Sequence, residues 1–423
     1  MMNTILGAVA TIVVVTLVLV ALLLVIKAKL TPSGNVTINI NDGKKELSVP
    51  QGSDLMHTLA DQGIFLPSAC GGKANCGQCK VRVLDGGGEI LPTETGFFSR
   101  KQIKDNWRLG CQVKVKDNLK IAVPDSALSV KKLECEVISN KNVATYIKEF
   151  TVRLPEGENI EFKSGEYIQI DIPEYDINFA DIDVDEIYRG DWEKYGFFDL
   201  KCKNTVPTVR AYSMASYPAE KNVIKLNVRI ATPPFDRSQP RGVFKMLPVP
   251  PGIASSYVFT RKPGDKVMIS GPFGEFLLPE NDPDSQEYVF VGGGAGMAPL
   301  RSHIMHLFKT LRTKREVHFF YGARALVEAF YLEDFAGLEA EFPNFHFHLA
   351  LDRPDPAADA AGVKYTAGFV HNVMHETYLK DHEAPEDIKY FMCGPPMMVS
   401  SVNALLDSLG VAPESILYDN FGG

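Results

Sequence analysis

Cys70-Gly-Gly-Lys-Ala-Asn-Cys76-Gly-Gln-Cys79 is the stretch from which the rest of this chain can be read. Three cysteines fall within ten residues, and Cys111 follows thirty-two positions after Cys79. Thiolates are soft donors, and a 2Fe-2S cluster takes four of them. Three from one tight loop and one from a distant strand is the plant-type arrangement. Its usual spacing is C-x4-C-x2-C, whereas the first gap here holds five residues. Gly71, Gly72 and Gly77 tolerate positive φ, so the loop can absorb the extra residue and aim backbone N–H groups at sulfur. A structural zinc is the competing reading, but zinc ribbons pair two short-spaced cysteine knuckles, and only one such pair is present.

The remaining cysteines, Cys135, Cys202 and Cys393, are scattered through a chain of 423 residues. An odd count in a long chain rich in glycine turns points to a reducing compartment, where clustered cysteines signal metal before disulfide. The net charge of −8 gives no reason to expect nucleic acid as a partner. Charge is uneven, however. Residues 33–125 hold twelve Lys/Arg against ten Asp/Glu, so the net negative charge lies elsewhere.

Toward the N-terminus, no charged side chain occurs before Lys27. The apolar run Thr4–Ile26 would make a helix of ~35 Å, enough to cross a bilayer. It lacks the positive lead and the small-residue cleavage site of a signal peptide. Lys27 and Lys29 are the nearest positive charges, which predicts a single-pass anchor with the following domains on the cytoplasmic side.

Toward the C-terminus the patterning changes twice. Val36–Ile40, the Asp42-Gly43 turn, Lys44–Val49, a helix over 54–62 capped by Ser53, and strands at 80–84, 113–116 and 119–123 form a small sheet-plus-helix unit. Alternating strands at regular spacing then predict an antiparallel barrel: 135–138, 147–154, 167–172, 224–230 and 266–270. From Gly271, apolar strands at 288–291, 317–321, 345–349 and 390–392 alternate with helices, as in a parallel α/β domain. The expected organisation is an anchor and linker over 1–32, a cluster domain over 33–126, a barrel over 130–270 and an α/β domain over 271–423. One segment breaks the barrel rhythm. Residues 174–204 hold nine Asp/Glu against four Lys/Arg, interleaved with Tyr188, Trp192, Tyr195, Phe197 and Phe198. Acidity favours a solvated decoration; the aromatics favour a docking surface.

Three further motifs carry chemistry. Arg210-Ala211-Tyr212-Ser213, placed at the start of a barrel strand, offers a bidentate fork for pyrophosphate, a flat face for a flavin ring and a hydroxyl near a reacting nitrogen. It gains weight from Gly252, Ser255 and Ser256, where a glycine turn can open a helix toward a phosphate. Gly292-Gly293-Gly294-Ala295-Gly296-Met297-Ala298-Pro299 follows an apolar strand and precedes a helix with Leu300, Ile304, Leu307, Phe308 and Leu311 on one stripe. Strand, glycine turn and helix N-terminus together make a dinucleotide phosphate site. Cys393-Gly394-Pro395 ends the last apolar strand, where a parallel sheet opens its ligand crevice. The bland reading of Cys393 is a buried structural thiol.

In this order, Arg-Ala-Tyr-Ser, the glycine run and Cys-Gly-Pro-Pro-Met resemble the ferredoxin-NADP-reductase-like flavoenzymes. With a plant-type ferredoxin domain and an apolar helix in front, the whole chain resembles the family of NADH-oxidising flavoprotein subunits of the sodium-translocating NADH:quinone oxidoreductase. The resemblance implies a β-grasp ferredoxin domain, a barrel holding FAD and a Rossmann-like domain for NADH. It implies cluster ligation by Cys70, Cys76, Cys79 and Cys111, FAD bound by Arg210, Tyr212 and Ser213, and the nicotinamide site lined by 292–299 and 393–395. Ser213 and Cys393 would be the catalytic pair, and Phe421 would cover the flavin. Partner subunits in a bacterial inner membrane would carry electrons to ubiquinone. Two alternatives are a membrane-tethered reductase feeding an oxygenase and a non-catalytic redox adaptor. The apolar helix and the acidic insertion speak against the first, and the nucleotide motifs against the second.

Overall fold

The structure is a computed structural model that describes residues 7, 11–22, 34–128, 130–240 and 242–419. Residues 11–22 are helical and their large apolar side chains are exposed. Among the described residues, no helix is long and apolar enough to cross a membrane. The rest of the expected anchor, including 4–6, 8–10 and 23–26, lies outside the described residues. The chain divides into two compact units, residues 1–68 with 72–129, and residues 69–71 with 130–423.

The first unit is built on a five-stranded mixed sheet. Its strands are β1 (Asn35–Ile40), β2 (Lys45–Pro50), β3 (Lys80–Asp85), β4 (Trp107–Leu109) and β5 (Leu119–Ala122), in the order β2-β1-β5-β3-β4. Alternation buries Val36, Ile38 and Ile40 on one face of β1, and that face packs on Leu55 and Leu59 of the helix Leu55–Asp61. Asp54, not Ser53, caps this helix: its carboxylate accepts the His57 N–H at 3.0 Å. An aspartate one position nearer the turn reaches an orphan N–H at least as well as a serine. Residues 113–116 contribute only a bridge, Asp54 to Lys114, while the short β4 pairs with β3.

In the second unit, β6 (Lys131–Ala144), β7 (Ile147–Arg153), β8 (Tyr167–Ile172), β11 (Thr208–Ser213), β12 (Val223–Arg229) and β13 (Lys266–Phe273) form an antiparallel sheet ordered β11-β8-β13-β6-β7-β12. A bridge between Met214 and Leu226 links its two edges and closes the barrel. The Arg-Ala-Tyr-Ser motif therefore ends a barrel strand instead of starting one.

The acidic insertion is a folded addition to the barrel and not a loose decoration. It pairs β9 (Tyr175–Asn178) with β10 (Lys201–Asn204) and adds the helix Glu186–Lys194. Trp192 is fully buried, stacks near Phe259, and donates its indole N–H to the Thr145 carbonyl at 2.7 Å. Phe179 and Phe197 are buried beside it, so the aromatics extend the barrel core while the carboxylates keep to the surface.

The α/β part is an all-parallel sheet of β14 (Tyr288–Gly292), β15 (Val317–Ala323), β16 (Phe345–Leu351), β17 (Thr366–Ala367), β18 (Lys389–Cys393) and β19 (Ile416–Asp419), ordered β17-β16-β15-β14-β18-β19. The helix Met297–Met305 after the glycine turn is buried on every side. Leu300, Ile304, Leu307 and Phe308 are buried as the stripe predicts, but Leu311 is 56% exposed. A π turn over His306–Thr310 takes an extra residue into one turn, so each residue rotates less and Leu311 falls off the stripe.

Candidate redox site

The thiol loop is shaped by left-handed glycines. Gly77 has φ +67°, and a Cβ there would meet the Phe97 ring at 2.4 Å, so only glycine fits. The structure brings Cys76, Cys79 and Cys111 together. The Cys79 thiol is pushed far above the usual thiol range, first by its hydrogen bond with Cys111, then by burial, with Cys76 adding repulsion. Gln112 Nε2 donates toward Cys111 Sγ at 3.8 Å. Cys70 is buried at the start of the loop, six positions before Cys76. None of the four is in a disulfide. Cysteines at this spacing, with a side-chain amide turned on the Cys111 sulfur, fit thiolate ligation of iron.

The second centre lies where β14 and β18 end. Gly292 pairs with Cys393, and the Gly293 N–H reaches the Cys393 carbonyl at 3.4 Å. A Cβ on Gly296 would lie 2.2 Å from that carbonyl oxygen, and one on Gly293 would lie 2.5 Å from the Gly322 carbonyl. Backbone cannot move aside as a side chain can, so both positions demand glycine. Gly294 takes φ +58° at the turn itself. The helix from Met297 begins with no side-chain cap; the Met297 N–H turns back to the Gly294 and Ala295 carbonyls and Pro299 has no N–H, so the positive end of the helix dipole is its main offer to an anion. Ala298 and Pro299 are buried in its first turn, while Gly394 and Pro395 continue the opposite wall after Cys393. This cradle of bare backbone fits a pyrophosphate.

Ser213, Cys393 and a third residue, Asp419, meet at this end of the sheet. Ser213 Oγ donates to Asp419 Oδ2 at 2.8 Å. Asp419 is the β19 neighbour of Cys393. Burial pushes the Asp419 carboxyl above the usual range, against the pull of the Ser213 hydrogen bond. Burial, with Asp419 behind it, also pushes the fully buried Cys393 thiol well up, so the thiol is held neutral. Asp419 was not singled out from the sequence. Its only signal there is an acidic residue two positions before an aromatic, and Phe421 itself lies outside the described residues.

The barrel side is less direct. Tyr212 is half-buried against the barrel core, which raises its phenol pKa. Ala211 and Arg210 precede it on β11. Arg210 Nη1 donates to Thr208 Oγ1 at 2.9 Å and to the Val209 carbonyl at 2.7 Å. The helix Ile253–Thr260 starts at Gly252 without a side-chain cap. The Ser255 and Ser256 hydroxyls turn back to the Gly252 carbonyl at 3.1 and 2.8 Å. Its free backbone N–H groups, not those hydroxyls, are therefore what this turn offers a phosphate. Arg301, 4% exposed, locks barrel to α/β sheet by donating to the Ala215 carbonyl, Glu220 and Asp334 at 2.8, 3.1 and 2.8 Å.

Comparison with known proteins agrees along the whole length. Residues 38–116 match the 2Fe-2S iron-sulfur cluster binding domain, 193–277 the oxidoreductase FAD-binding domain and 290–404 the oxidoreductase NAD-binding domain. The chain is 50% identical over 409 residues to the F subunit of the Na(+)-translocating NADH-quinone reductase of Marinomonas sp., covering 97% of this chain and 96% of that one. It is 52% identical to the protein of the same name from Mannheimia succiniciproducens, covering 97% of both chains. Among solved structures, the Amycolatopsis cytochrome P450 reductase aligns with a TM-score of 0.62 at 22% identity, over 91% of this chain and 98% of that one. A ferredoxin reductase of carbazole 1,9a-dioxygenase aligns at 0.55 and 20% identity, over 92% and 98%. At such identities these two show a shared fold.

Proposed function

The chain belongs to the family of F subunits of the Na(+)-translocating NADH-quinone reductases, and from this we propose how its residues serve that activity. It is the NADH-oxidising subunit, with hydride entering at the crevice of β14 and β18 and electrons leaving through the thiol loop toward quinone. The observation that carries this reading is the meeting of Ser213, Cys393 and Asp419 at the carboxyl ends of a glycine-turned parallel sheet.

When bound, FAD accepts hydride from NADH and releases electrons one at a time, and a 2Fe-2S cluster accepts them singly. The protein's part is placement. The backbone of 292–297 would hold the dinucleotide pyrophosphate, and the bare turns at Gly293 and Gly296 would let it approach. Cys393, small, neutral and buried, would line the nicotinamide position without competing for charge. Asp419 would hold the Ser213 hydroxyl toward the reacting edge of the flavin, whose face would rest on Tyr212. Arg210 and the N-terminus of the helix Ile253–Thr260 would take the FAD phosphates, with Phe421 as cover. Glu328, held by the Thr145 hydroxyl at 2.5 Å, pairs with Arg324 at 3.4 Å just beyond β15. An acidic group there favours NADH over a 2′-phosphorylated cofactor. Cys70, Cys76, Cys79 and Cys111 would ligate the cluster. The run Thr4–Ile26 would anchor the chain in the bacterial inner membrane, single-pass, with the catalytic domains cytoplasmic. Partner subunits would take the electrons to ubiquinone. The apolar composition of the run and Lys27 and Lys29 after it support this.

The test is iron content. Cys70→Ala, Cys76→Ala, Cys79→Ala and Cys111→Ala should each lose iron while FAD stays bound and is still reduced by NADH. Cys135→Ala and Cys202→Ala should keep their iron. Full iron occupancy in any of the first four would overturn the ligand set.

A further inference from the structure

The α/β sheet carries a second cluster of donor groups, at the end away from the crevice. Parallel register sets His318 of β15 beside His346 of β16, and Phe320 beside His348. Period-two alternation puts the imidazoles on one face, while Phe319 and Phe345 point into the core on the other. His318 and His346 stack at 4.5 Å, and Tyr378 covers His318 at 3.9 Å between ring centroids. One imidazole N–H joins His318 Nδ1 to His348 Nε2 at 3.2 Å. This fixes the His318 ring and leaves its Nε2 facing Glu316 Oε1 at 3.7 Å. His346 Nε2 contacts the same carboxylate oxygen.

We infer that Glu316, His318 and His346 form a binding site for a divalent transition-metal ion, of which Zn2+ is the type, with His348 orienting His318. The ligand atoms of the three already lie within 4.8 Å of one another. Tetrahedral zinc bonds of ~2.0–2.2 Å put ligand atoms ~3.3–3.6 Å apart, so an ion would draw His318 and Glu316 slightly together and part the direct His346–Glu316 contact to sit between them. Glu316, at 48% side-chain exposure, and His346, at 37%, are free to make that adjustment, while His318, at 10%, is the fixed anchor. The exposed side leaves room for a water as fourth ligand, as in open zinc sites built from two histidines and a carboxylate. Two imidazoles and one carboxylate select against sodium, magnesium and calcium, which prefer all-oxygen sets.

Beyond the ligands, the Tyr378 hydroxyl donates to Glu287, which also contacts His382 Nε2 at 3.1 Å. These groups hold Tyr378 against the His318 ring. His318 is the second residue of β15, about 13 Å along the strand from Gly322 at the crevice end. A metal here would tie the amino ends of β15 and β16 together without entering the hydride path.

The experiment uses the full-length protein in detergent, loaded with FAD and iron, and dialysed against micromolar ZnCl2. Bound zinc is measured by atomic emission, and the thermal midpoint is recorded beside it. The wild type should retain a single zinc per chain and show a raised midpoint. His346→Ala and Glu316→Gln should lose both effects while keeping FAD, iron and NADH:ferricyanide activity. His348→Phe should weaken zinc affinity on the order of tenfold to a hundredfold, as loss of an orienting partner does. His371→Ala and His375→Ala, on the helix Val370–Thr377, should bind as the wild type does. Flavin and iron content is checked first for each variant. Glu316→Gln, changed at an exposed side chain, decides the matter if His346→Ala does not fold. No zinc in the wild type, or equal zinc in wild type and Glu316→Gln, would overturn the inference.

Discussion

Ser213 and Asp419 are 206 positions apart and touch at 2.8 Å. That distance along the chain is why the serine is legible in Arg-Ala-Tyr-Ser while its carboxylate partner is not: a motif records neighbours in sequence, and this contact is made by folding. Ser213→Ala should slow NADH-driven flavin reduction by about tenfold to a hundredfold while FAD content is kept, because one hydroxyl at the reacting edge is lost. Arg210→Ala should instead release FAD, since a phosphate charge loses its partner. Stopped-flow absorbance and flavin content separate the two, and swapped phenotypes would reject this placement of the motif. Lys148 is a different case, a buried cation the sequence hides inside a strand. Burial pulls its pKa from 10.5 to about 8, with its ammonium 5.3 Å from the Phe259 ring centroid. The unfolded chain holds that proton where the folded one has lost it, so the penalty from this group is at its full, constant value below about 8 and is relieved, as a rise in stability, when pH goes from about 8 to 10.5. Lys148→Met should raise stability at neutral pH by up to about 3 kcal/mol and flatten that rise, as read by urea unfolding at neutral and alkaline pH.

At the scale of elements, strand periodicity is the most legible feature. Tyr167–Ile172 falls at its expected bounds, and the apolar cores of β14, β15, β16 and β18 fall within theirs. Features set by local geometry are not. The cap passes from Ser53 to Asp54 because one residue of difference in the turn decides which oxygen reaches the helix. Leu311 leaves its stripe because a π turn takes in an extra residue that a fixed 3.6-residue period cannot anticipate. Tertiary packing settles the insertion: its aromatics face inward because the helix Glu186–Lys194 lies against the barrel. Trp192→Ala should therefore cost about 3–5 kcal/mol, from the cavity and the unpaired Thr145 carbonyl together. A lowered thermal midpoint with partial flavin loss is the expected record. An unchanged midpoint would mean the insertion is peripheral after all.

For the molecule as a whole, removal of residues 1–30 should give a protein that still oxidises NADH with ferricyanide but no longer feeds quinone through its partners. No ionisable side chain precedes Lys27, so the run has no chemistry to lose. Its proposed work is to raise the effective concentration of the next acceptor. Loss of both activities would mean that the run supports folding, and retention of both that it is dispensable. The order in which the chain is made has its own consequence. The barrel strands Lys131–Phe273 are contiguous in sequence and can pair while the ribosome is still translating the α/β part. Asp419 ends the last described strand and is synthesised long after Ser213. A nascent chain can thus finish its barrel before the carboxylate that holds the Ser213 hydroxyl has been made. On the proposed reading, a barrel at that stage would already hold flavin while its exchange with NADH stayed slow, which would limit loss of electrons to oxygen.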